Sequence, residues 1–471
     1  MTIVVTTLFV LVLICVATQW IASHTKSQLT GSLNADFRKF QRVFFVPYLL
    51  ALLSDWLQGP YVYRLYSQYG YAPEQIALLY ICKFHLTDRF FKFFNYYCFA
   101  GGFGSSVLFG TFTGPLADRF GRKRLCLIFC ILYILCCVCK ISSNFWWLFA
   151  GRVFGGVSTS ILFSTFEAWY VCQHTEHLVF PSDWISSTFS ISTFWNGVLA
   201  ILSGIAADVG AEWLGFGPVA PFMIAIPFLV LSAVYIVLTW TENYGSRCVS
   251  LQGSFLEGLR VIFNDPIIFL LGVVQSMFES IMYIFVFLWT PVLDSVGHWP
   301  LGLVFSCFMV CIMIGSSMNT LLLNRNVRPS TILLITSCCS AVSMITCSIS
   351  TGVTFSSPFA SFLAFLLLEA SIGMYFPAMG YLRSQVIPES LRANIMNWFR
   401  VPLNVITCAV LYKLHRNSRA DDDQATLRGD QSAFLFNIIL SLVGMVAAYL
   451  FNKKYTENPS FNDSEDGKLE K

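Results

Sequence analysis

The sequence predicts an all-α polytopic membrane protein in which two pseudo-symmetric six-helix bundles follow an N-terminal anchor helix. Two observations predict this class. Of the 471 residues, 56% are hydrophobic and only 12% are charged, whereas about a quarter of the residues in a soluble domain are charged. The chain also carries a series of apolar stretches with the roughly 17–25 residues that a helix needs to cross a bilayer.

The apolar stretches define an anchor and twelve further spans. We expect helices throughout, because a membrane-spanning helix satisfies its backbone amides within its own segment. The predicted spans are 3–22, 43–62, 74–116, 125–141, 146–170, 187–208, 218–240, 267–292, 301–323, 331–350, 357–381, 396–414 and 433–451.

The first stretch is interpreted as a retained anchor rather than a cleaved signal peptide. No Lys or Arg precedes it, and no clear A-x-A cleavage site follows it. The tail is polar and charged, a composition typical of disorder. The predicted organisation is an anchor helix and cytoplasmic loop at 1–42, a first bundle at 43–240, a central cytoplasmic loop at 241–266, a second bundle at 267–451 and a disordered cytoplasmic tail at 452–471.

The distribution of Lys and Arg predicts the orientation of the chain. With the loop at 22–42 placed in the cytoplasm and the sides alternating from there, the cytoplasmic loops carry about three times as many Lys and Arg as the opposite loops, as the positive-inside rule requires. The N-terminus is therefore predicted outside the cell, and the C-terminus in the cytoplasm.

The second bundle span, 74–116, is twice as long as a bilayer requires. Within it, residues 83–90 carry three basic residues among several aromatic ones. An aromatic-rich extension at the membrane surface is one interpretation. The other is a retained intron at 83–101, because the codons for residues 82–84 can contain a splice-donor sequence and those for 99–101 an acceptor. Removing the segment in frame restores one smooth span.

The loop after this span carries a motif that is specific to one superfamily. Residues 114–124 read GPLADRFGRKR. They match the G-x-L-A-D-R-x-G-R-[KR] signature between the second and third helices of the major facilitator superfamily, and the predicted cytoplasmic position also agrees. On this motif the chain is identified as a member of that superfamily, which implies its fold.

Elementary chemistry suggests a gating role for the motif. Glycines permit a tight turn and close packing, while Asp118 can pair with arginines or with a helix N-terminus. Such a pair holds the two halves in one orientation and releases them in the other. A degenerate copy in the second half has Asn324 in place of Asp118. The predicted gating residues are Gly114, Asp118, Arg119, Gly121, Arg122, Arg325 and Arg328.

Five further segments are more distinctive than the motif. They occupy 55–61, 166–170, 278–280, 287–294 and 397–403, and together they resemble the animal molybdate-anion transporters, a family within the superfamily. The resemblance extends from about residue 35 to 451, and the segment 83–101 and the tail depart from it. It implies a secondary transporter that takes up molybdate, a small oxyanion, across the plasma membrane by alternating access.

Ionisable and amide side chains inside the predicted spans are candidates for transport, because a charge in hydrocarbon is costly. Asp55 and Glu279 each lie about twelve residues into a span, which at 1.5 Å per residue is near mid-membrane. Gln58 and Gln275 lie one helical turn from them, and Glu369 is a third intramembrane carboxylate. A purely structural role, with each carboxylate satisfied by a neighbouring side chain, is the alternative.

A divalent oxyanion also needs cationic or amide donors. The candidate cations within the predicted spans are Arg152 and Arg400. The guanidinium of Arg400 can bind two oxyanion oxygens, and Asn397 lies one turn away. Snorkelling of Arg400 to the membrane surface is the alternative. Trp195 and Asn196 are further candidate donors.

Composition excludes several other functions. A net charge of +3 without a basic tract argues against nucleic-acid binding. The sequence carries no nucleotide-binding loop, no zinc-ligand spacing and no enzyme constellation, and His174 and His177 are predicted in a solvated loop. We therefore expect no cofactor, no resident metal and no enzyme activity, and a lipid bilayer and a small oxyanion as partners. The oligomeric state is left open.

Two alternative functions stay open at this point. One is a proton-coupled transporter of a sugar or another neutral solute, with Asp55 or Glu279 as the coupling group. The other is a transporter-like sensor or scaffold that keeps the gating motif and moves no solute.

Overall fold

The computed structural model describes residues 2–24, 35–71, 75–76, 116–117, 119–180, 183–244, 251–294, 299–352, 357–388, 392–417 and 423–458. Most of the predicted span 74–116 lies outside the described residues, and so does the hypothesis of an insertion at 83–101. Gly114 and Asp118 of the motif and the chain beyond 458 also lie outside them.

The described chain is helical, as predicted. Eight of its helices are long and apolar enough to cross a membrane. The α-helices are α1 Thr2–His24, α2 Ala35–Gln58, α3 Val62–Gln68, α4 Arg122–Cys139, α5 Phe145–Leu162, α6 Thr165–Cys172, α7 Asp183–Asp208, α8 Ala220–Thr239, α9 Leu251–Asn264, α10 Pro266–Asp294, α11 Leu301–Asn324, α12 Pro329–Ser350, α13 Pro358–Val386, α14 Arg392–Asn417 and α15 Asp423–Glu457.

The first bundle helix is longer than the sequence suggested. A 3-10 turn at Gly59–Tyr61 joins α2 to α3, so helical structure continues to Gln68 rather than ending at 62. Pro60 has no backbone N–H and cannot make the regular bond to the preceding turn, and the tighter 3-10 geometry accommodates this break. Gly70, at φ +82°, ends the helical segment.

The predicted span 146–170 is divided in two. Asn144 caps α5 by accepting a hydrogen bond from the backbone N–H of Trp146 at 2.9 Å. After a break, α6 continues through a π-turn at Gln173–His177. The prediction that His174 is solvated is wrong: its side chain is fully buried, its Nδ1 lies 3.2 Å from the hydroxyl of Tyr170, and the ring of Phe37 packs edge-on against it.

Two further elements change the predicted boundaries. The connection at 241–266 contains the helix α9, which packs against α10 and α14. At the other end, α15 runs to Glu457, so the predicted disorder at 452–471 is wrong for its first six residues. Asn452 accepts a hydrogen bond from Ser330 at 2.6 Å, which ties this part of α15 to the start of α12.

The chain divides into two compact units. One comprises Met1–Val5, Gln28–Cys248 and Pro300–Ser306, and the other comprises Thr6–Ser27, Val249–Trp299 and Cys307–Lys471. The core of the first is rich in aromatic rings, among them Trp169 and Trp240, which stack at 3.6 Å between centroids. In the second, α10, α12, α13 and α15 pack together.

Candidate substrate site

Glu279 is the centre of a charged cluster in the second unit. It lies on α10 and is only 8% exposed. From α13, the hydroxyl of Tyr375 donates a hydrogen bond to its Oε1 at 3.2 Å, and Nη2 of Arg383 lies 3.5 Å from the same oxygen. Two donors from one helix thus hold a single carboxylate oxygen of another.

Three more side chains surround this carboxylate. Gln275 lies one turn earlier on α10, and Arg400 on α14 is within electrostatic reach of the carboxylate. Tyr283, one turn later, lies within electrostatic reach of both Glu279 and Arg400. We call these six residues the Glu279 cluster; its members are Gln275, Glu279, Tyr283, Tyr375, Arg383 and Arg400.

The structure brings together three of the predicted candidates and adds three residues that were not among them, Tyr283, Tyr375 and Arg383. Gln275, Glu279 and Arg400 share the cluster, whereas Arg383 and Tyr375 were missed. The predicted span ended at 381 and therefore left Arg383 in a loop, but α13 continues to Val386. The signal available in the sequence was an arginine two residues beyond an apolar stretch. For Asn397 the structure describes only the backbone, on α14 one turn before Arg400.

A second set of ionisable groups lies in the first unit. The hydroxyl of Tyr133 on α4 donates a hydrogen bond to Oδ1 of Asp55 on α2. Cys136 of α4 lies within electrostatic reach of three charged side chains. These are Asp55, Lys140 and Arg152, the last of which is on α5. The set therefore contains one carboxylate and two cations, as does the Glu279 cluster.

Lys140 is a buried cation that the sequence did not indicate. Its side chain is 1% exposed although it follows directly after α4. The ammonium donates a hydrogen bond to the hydroxyl of Tyr66 and lies 4.7 Å from the centre of that ring and 5.6 Å from that of Phe222. Aromatic faces attract a cation, so the two rings and the hydroxyl replace part of its hydration.

The helices that carry these groups correspond in the two halves. Each half has its carboxylate on the first bundle helix, Asp55 on α2 and Glu279 on α10. Each has an arginine on the fourth, Arg152 on α5 and Arg383 on α13. Internal repeats are how such transporters are built. The two carboxylates are also equivalent in kind, because each accepts a hydrogen bond from a tyrosine hydroxyl.

The remaining candidates have separate environments. Gln58 is buried, and its side-chain amide donates a hydrogen bond to the backbone carbonyl of Ser54 in the same helix at 3.1 Å. Asn196 accepts a hydrogen bond from the indole of Trp56 at 2.7 Å. Trp195 is 45% exposed. Glu369 is 5% exposed on α13, and no described residue makes a hydrogen bond or ion pair with it.

The gating motif contacts the end of α8. Gly121, at φ +100°, precedes α4, and the carboxylate of Glu242 accepts hydrogen bonds from the backbone N–H groups of Lys123 at 2.8 Å and Arg124 at 3.2 Å. The Lys123 ammonium donates to the carbonyl of Val237 in the last turn of α8 at 3.1 Å and to that of Trp240, just beyond α8, at 2.6 Å. A residue beyond α8 therefore caps α4.

The motif's other basic residues differ in exposure. Arg122 donates to the backbone carbonyl of Ala168 at 3.1 Å, which ties the motif to α6. Arg119, Arg325 and Arg328 are exposed. The lock through Asp118 stays a prediction, because that residue lies outside the described ranges.

Replacement of Glu242 by alanine is expected to lower stability. The variant removes the acceptor of two N-terminal amides of α4, and loss of such a cap costs about 0.5–2 kcal/mol. We expect a fall of a few degrees in the melting temperature of the detergent-solubilised protein. Glu457→Ala, at an exposed position at the end of α15, is the control. Equal melting temperatures for the two variants would contradict the capping role.

The chain is similar to known transporters over most of its length. A family described as sugar transporters with 12 transmembrane segments matches residues 7–95 and 95–368. The molybdate-anion transporters of Xenopus tropicalis and Xenopus laevis are 39% and 40% identical to it over 440 residues, which cover 93% of this chain and 92% of each relative. A solved POT family transporter in complex with 5-aminolevulinic acid shares the fold with a TM-score of 0.65 at 14% identity, covering 89% of this chain and 97% of that one.

The helical fold and the charged sets buried on its helices define a membrane transporter of the major facilitator type. Within that superfamily, the chain belongs to the family of the molybdate-anion transporters. The resemblance that the motif and the five segments suggested is confirmed.

Proposed function

We propose that this protein is a plasma-membrane secondary transporter that takes up molybdate or a similar small oxyanion by alternating access. The Glu279 cluster carries the proposal. Arg383 pairs with one buried carboxylate of the second unit at 3.5 Å, and Arg400, at an exposed position of α14, is within electrostatic reach of the same carboxylate. A guanidinium presents paired donors that match the oxygens of an oxyanion. A site that already stabilises a carboxylate with two arginines has the chemistry to bind a tetrahedral dianion.

The relatives support molybdate as the substrate, since both are named molybdate-anion transporters. A neutral solute such as a sugar is the second candidate, because the matching family is described as sugar transporters. Measurement of cellular molybdenum and of radiolabelled sugar uptake, in cells that lack the protein and in cells that regain it, separates these substrates. Normal surface expression without uptake of either would favour a sensor or scaffold.

The orientation belongs to the same proposal. The bias in Lys and Arg supports an N-terminus outside the cell and a C-terminus in the cytoplasm. An epitope tag at residue 1 should therefore bind antibody on intact cells, and one at the C-terminus only after permeabilisation. The reverse labelling pattern would contradict this orientation.

Arg400→Lys is expected to weaken molybdate uptake several-fold at matched surface expression and to change the potency of sulfate as a competitor. Lysine keeps the charge but loses the planar pair of N–H donors. Molybdate and sulfate are both tetrahedral dianions, so a protein distinguishes them by their size and by the placement of its donors, not by net charge. The control is Arg260→Lys, at an exposed position on α9. If Arg400 only snorkels, lysine serves equally well, and an unaltered sulfate competition curve would remove Arg400 from the site.

A further inference from the structure

We propose that Lys140 binds a small inorganic anion at the end of α4, in the first unit. The ligand is an oxyanion such as molybdate, or chloride, since both offer a compact negative charge to an ammonium. The residues of this site belong to the first unit, and none of them belongs to the Glu279 cluster. The inference goes beyond the proposed function, because such a site binds an anion whether or not the protein takes up molybdate.

The Lys140 ammonium is enclosed by protein without a negative partner. Its side chain is 1% exposed, and the rings of Tyr66 and Phe222, at 4.7 and 5.6 Å from the ammonium, are fully buried. None of the ion pairs within the described ranges involves Lys140. Lysines are almost never fully buried unless they are paired, because an ammonium that leaves water loses a large hydration energy. The described side chains around Lys140 therefore leave its charge uncompensated.

The hydrogen bonds of the ammonium point to the same conclusion. An ammonium carries three N–H donors, and within the described chain the acceptor for Lys140 is the hydroxyl of Tyr66. Tyr66 and Phe222 otherwise present their ring faces to it, and these attract a cation without replacing a full ion pair. The remaining donors can therefore bind an anion that reaches the ammonium.

Asp55 does not neutralise Lys140. It accepts its hydrogen bond from Tyr133 on α4, and Tyr133 precedes Lys140 by about 10 Å along the helix axis, at 1.5 Å per residue. A charged side chain within electrostatic reach of Lys140 is Arg152, which is a second cation. An anion beside Lys140 is therefore attracted by two positive charges.

The packing around Lys140 limits the size of its ligand. The helices α4 and α5 approach so closely that a Cβ atom at Gly151 would lie 2.9 Å from that of Cys139, the residue before Lys140. A sugar or a peptide would have to separate these helices. A monatomic anion or a tetrahedral oxyanion needs only a shift of side chains, and aromatic ring edges, which carry partial positive charge, can contact it.

The end of α4 also gives the site access to ions from water. Lys140 follows directly after α4, and Ser143 and Asn144 in the next loop are exposed. The hydroxyl of Tyr69 covers this end, donating a hydrogen bond to the backbone carbonyl of Lys140 at 2.6 Å. An anion from the solvent therefore has to pass only this short loop and one tyrosine to reach the ammonium.

The test is equilibrium binding to the purified, detergent-solubilised protein in gluconate buffer, with radiolabelled molybdate in one series and radiolabelled chloride in the other. Lys140→Met removes the charge and keeps the length of the side chain. The matched control is Lys453→Met, at an exposed position on α15. In the series whose anion occupies the site, Lys140→Met should lose this binding or weaken it about tenfold or more, and the control should bind like the wild type. Unchanged binding in both series would overturn the inference.

Melting temperatures separate an anion site from a purely structural lysine. An apolar side chain of similar volume in place of a buried ion is often neutral or stabilising, so Lys140→Met should melt no lower than the wild type in gluconate. A ligand raises the melting temperature of the state that binds it. The anion identified by the binding series should therefore raise the melting temperature of Lys140→Met less than that of the wild type and the control, and equal rises would contradict the site.

Crystals of the wild-type protein soaked in molybdate or in bromide, a substitute for chloride, keep the test decisive if Lys140→Met does not fold. An anomalous peak beside the Lys140 ammonium in either soak is expected, and its absence from both would overturn the inference. A peak there in a protein that takes up no molybdate would overturn the proposed function alone. Molybdate uptake by a protein without that peak would overturn the inference alone.

Discussion

Replacement of Gly373 by alanine is expected to prevent α11 and α13 from packing together. A Cβ atom at Gly373 would lie 2.1 Å from the backbone oxygen of Ile312, and one at Gly315 would lie 2.0 Å from that of Ala370. Both obstacles are backbone atoms of the opposite helix, so no side-chain rotation relieves them. Overpacking in a well-packed interior typically costs about 1–3 kcal/mol and occasionally more, and we expect the upper end here.

The measurement is the yield of monodisperse protein after detergent extraction, together with its melting temperature. Gly380→Ala, on the same helix, is the control, because nothing lies within 4 Å of its added Cβ. This control should be neutral or slightly stabilising, since alanine is favoured over glycine in a helix by about 0.5–1 kcal/mol. Similar yields for Gly373→Ala and Gly380→Ala would show that the two helices can separate without loss.

Arg383→Gln is expected to abolish molybdate uptake and to destabilise the second unit. The variant removes the guanidinium that contacts Glu279 and leaves a carboxylate that is 8% exposed without its paired cation. Breaking a buried ion pair by removal of one partner costs about 3–5 kcal/mol. We expect a marked decrease in melting temperature and in surface expression.

The double variant Glu279→Gln, Arg383→Gln separates stability from transport. It carries no unpaired charge at these two positions, so its melting temperature should recover most of the loss, while uptake stays absent because the proposed ligand is gone. The recovery is the coupling energy of a double-mutant cycle. Wild-type uptake by the double variant would exclude Arg383 as a substrate ligand.

The fold class was determined by the sequence alone because its causes are local. Long apolar stretches with few charges must form helices in a bilayer, whatever their neighbours are. The motif at 114–124 is likewise a continuous run, and it was sufficient to identify the superfamily. Asp55 and Glu279 could be singled out for the same reason, since a carboxylate inside an apolar stretch is visible without any tertiary information.

The exact extent of the helices needed the structure. The 3-10 turn at Pro60, the break between α5 and α6 and the extension of α13 to Val386 all depend on the backbone hydrogen bonds that the packed helices retain. Hydropathy reports only where a stretch stops being apolar. The predicted span therefore ended before Arg383, although the helix continues through this residue to Val386.

The partners of the buried charges were decided only by tertiary structure. Tyr375 and Arg383 are 96 and 104 residues away from Glu279 in sequence, and Tyr133 is 78 residues from Asp55. Which side chains meet depends on how helices are rotated and shifted against one another, and no local pattern records this. The same reason explains why Lys140, at the end of a predicted span, and His174, expected in a solvated loop, are buried: packed aromatic rings from other helices cover them.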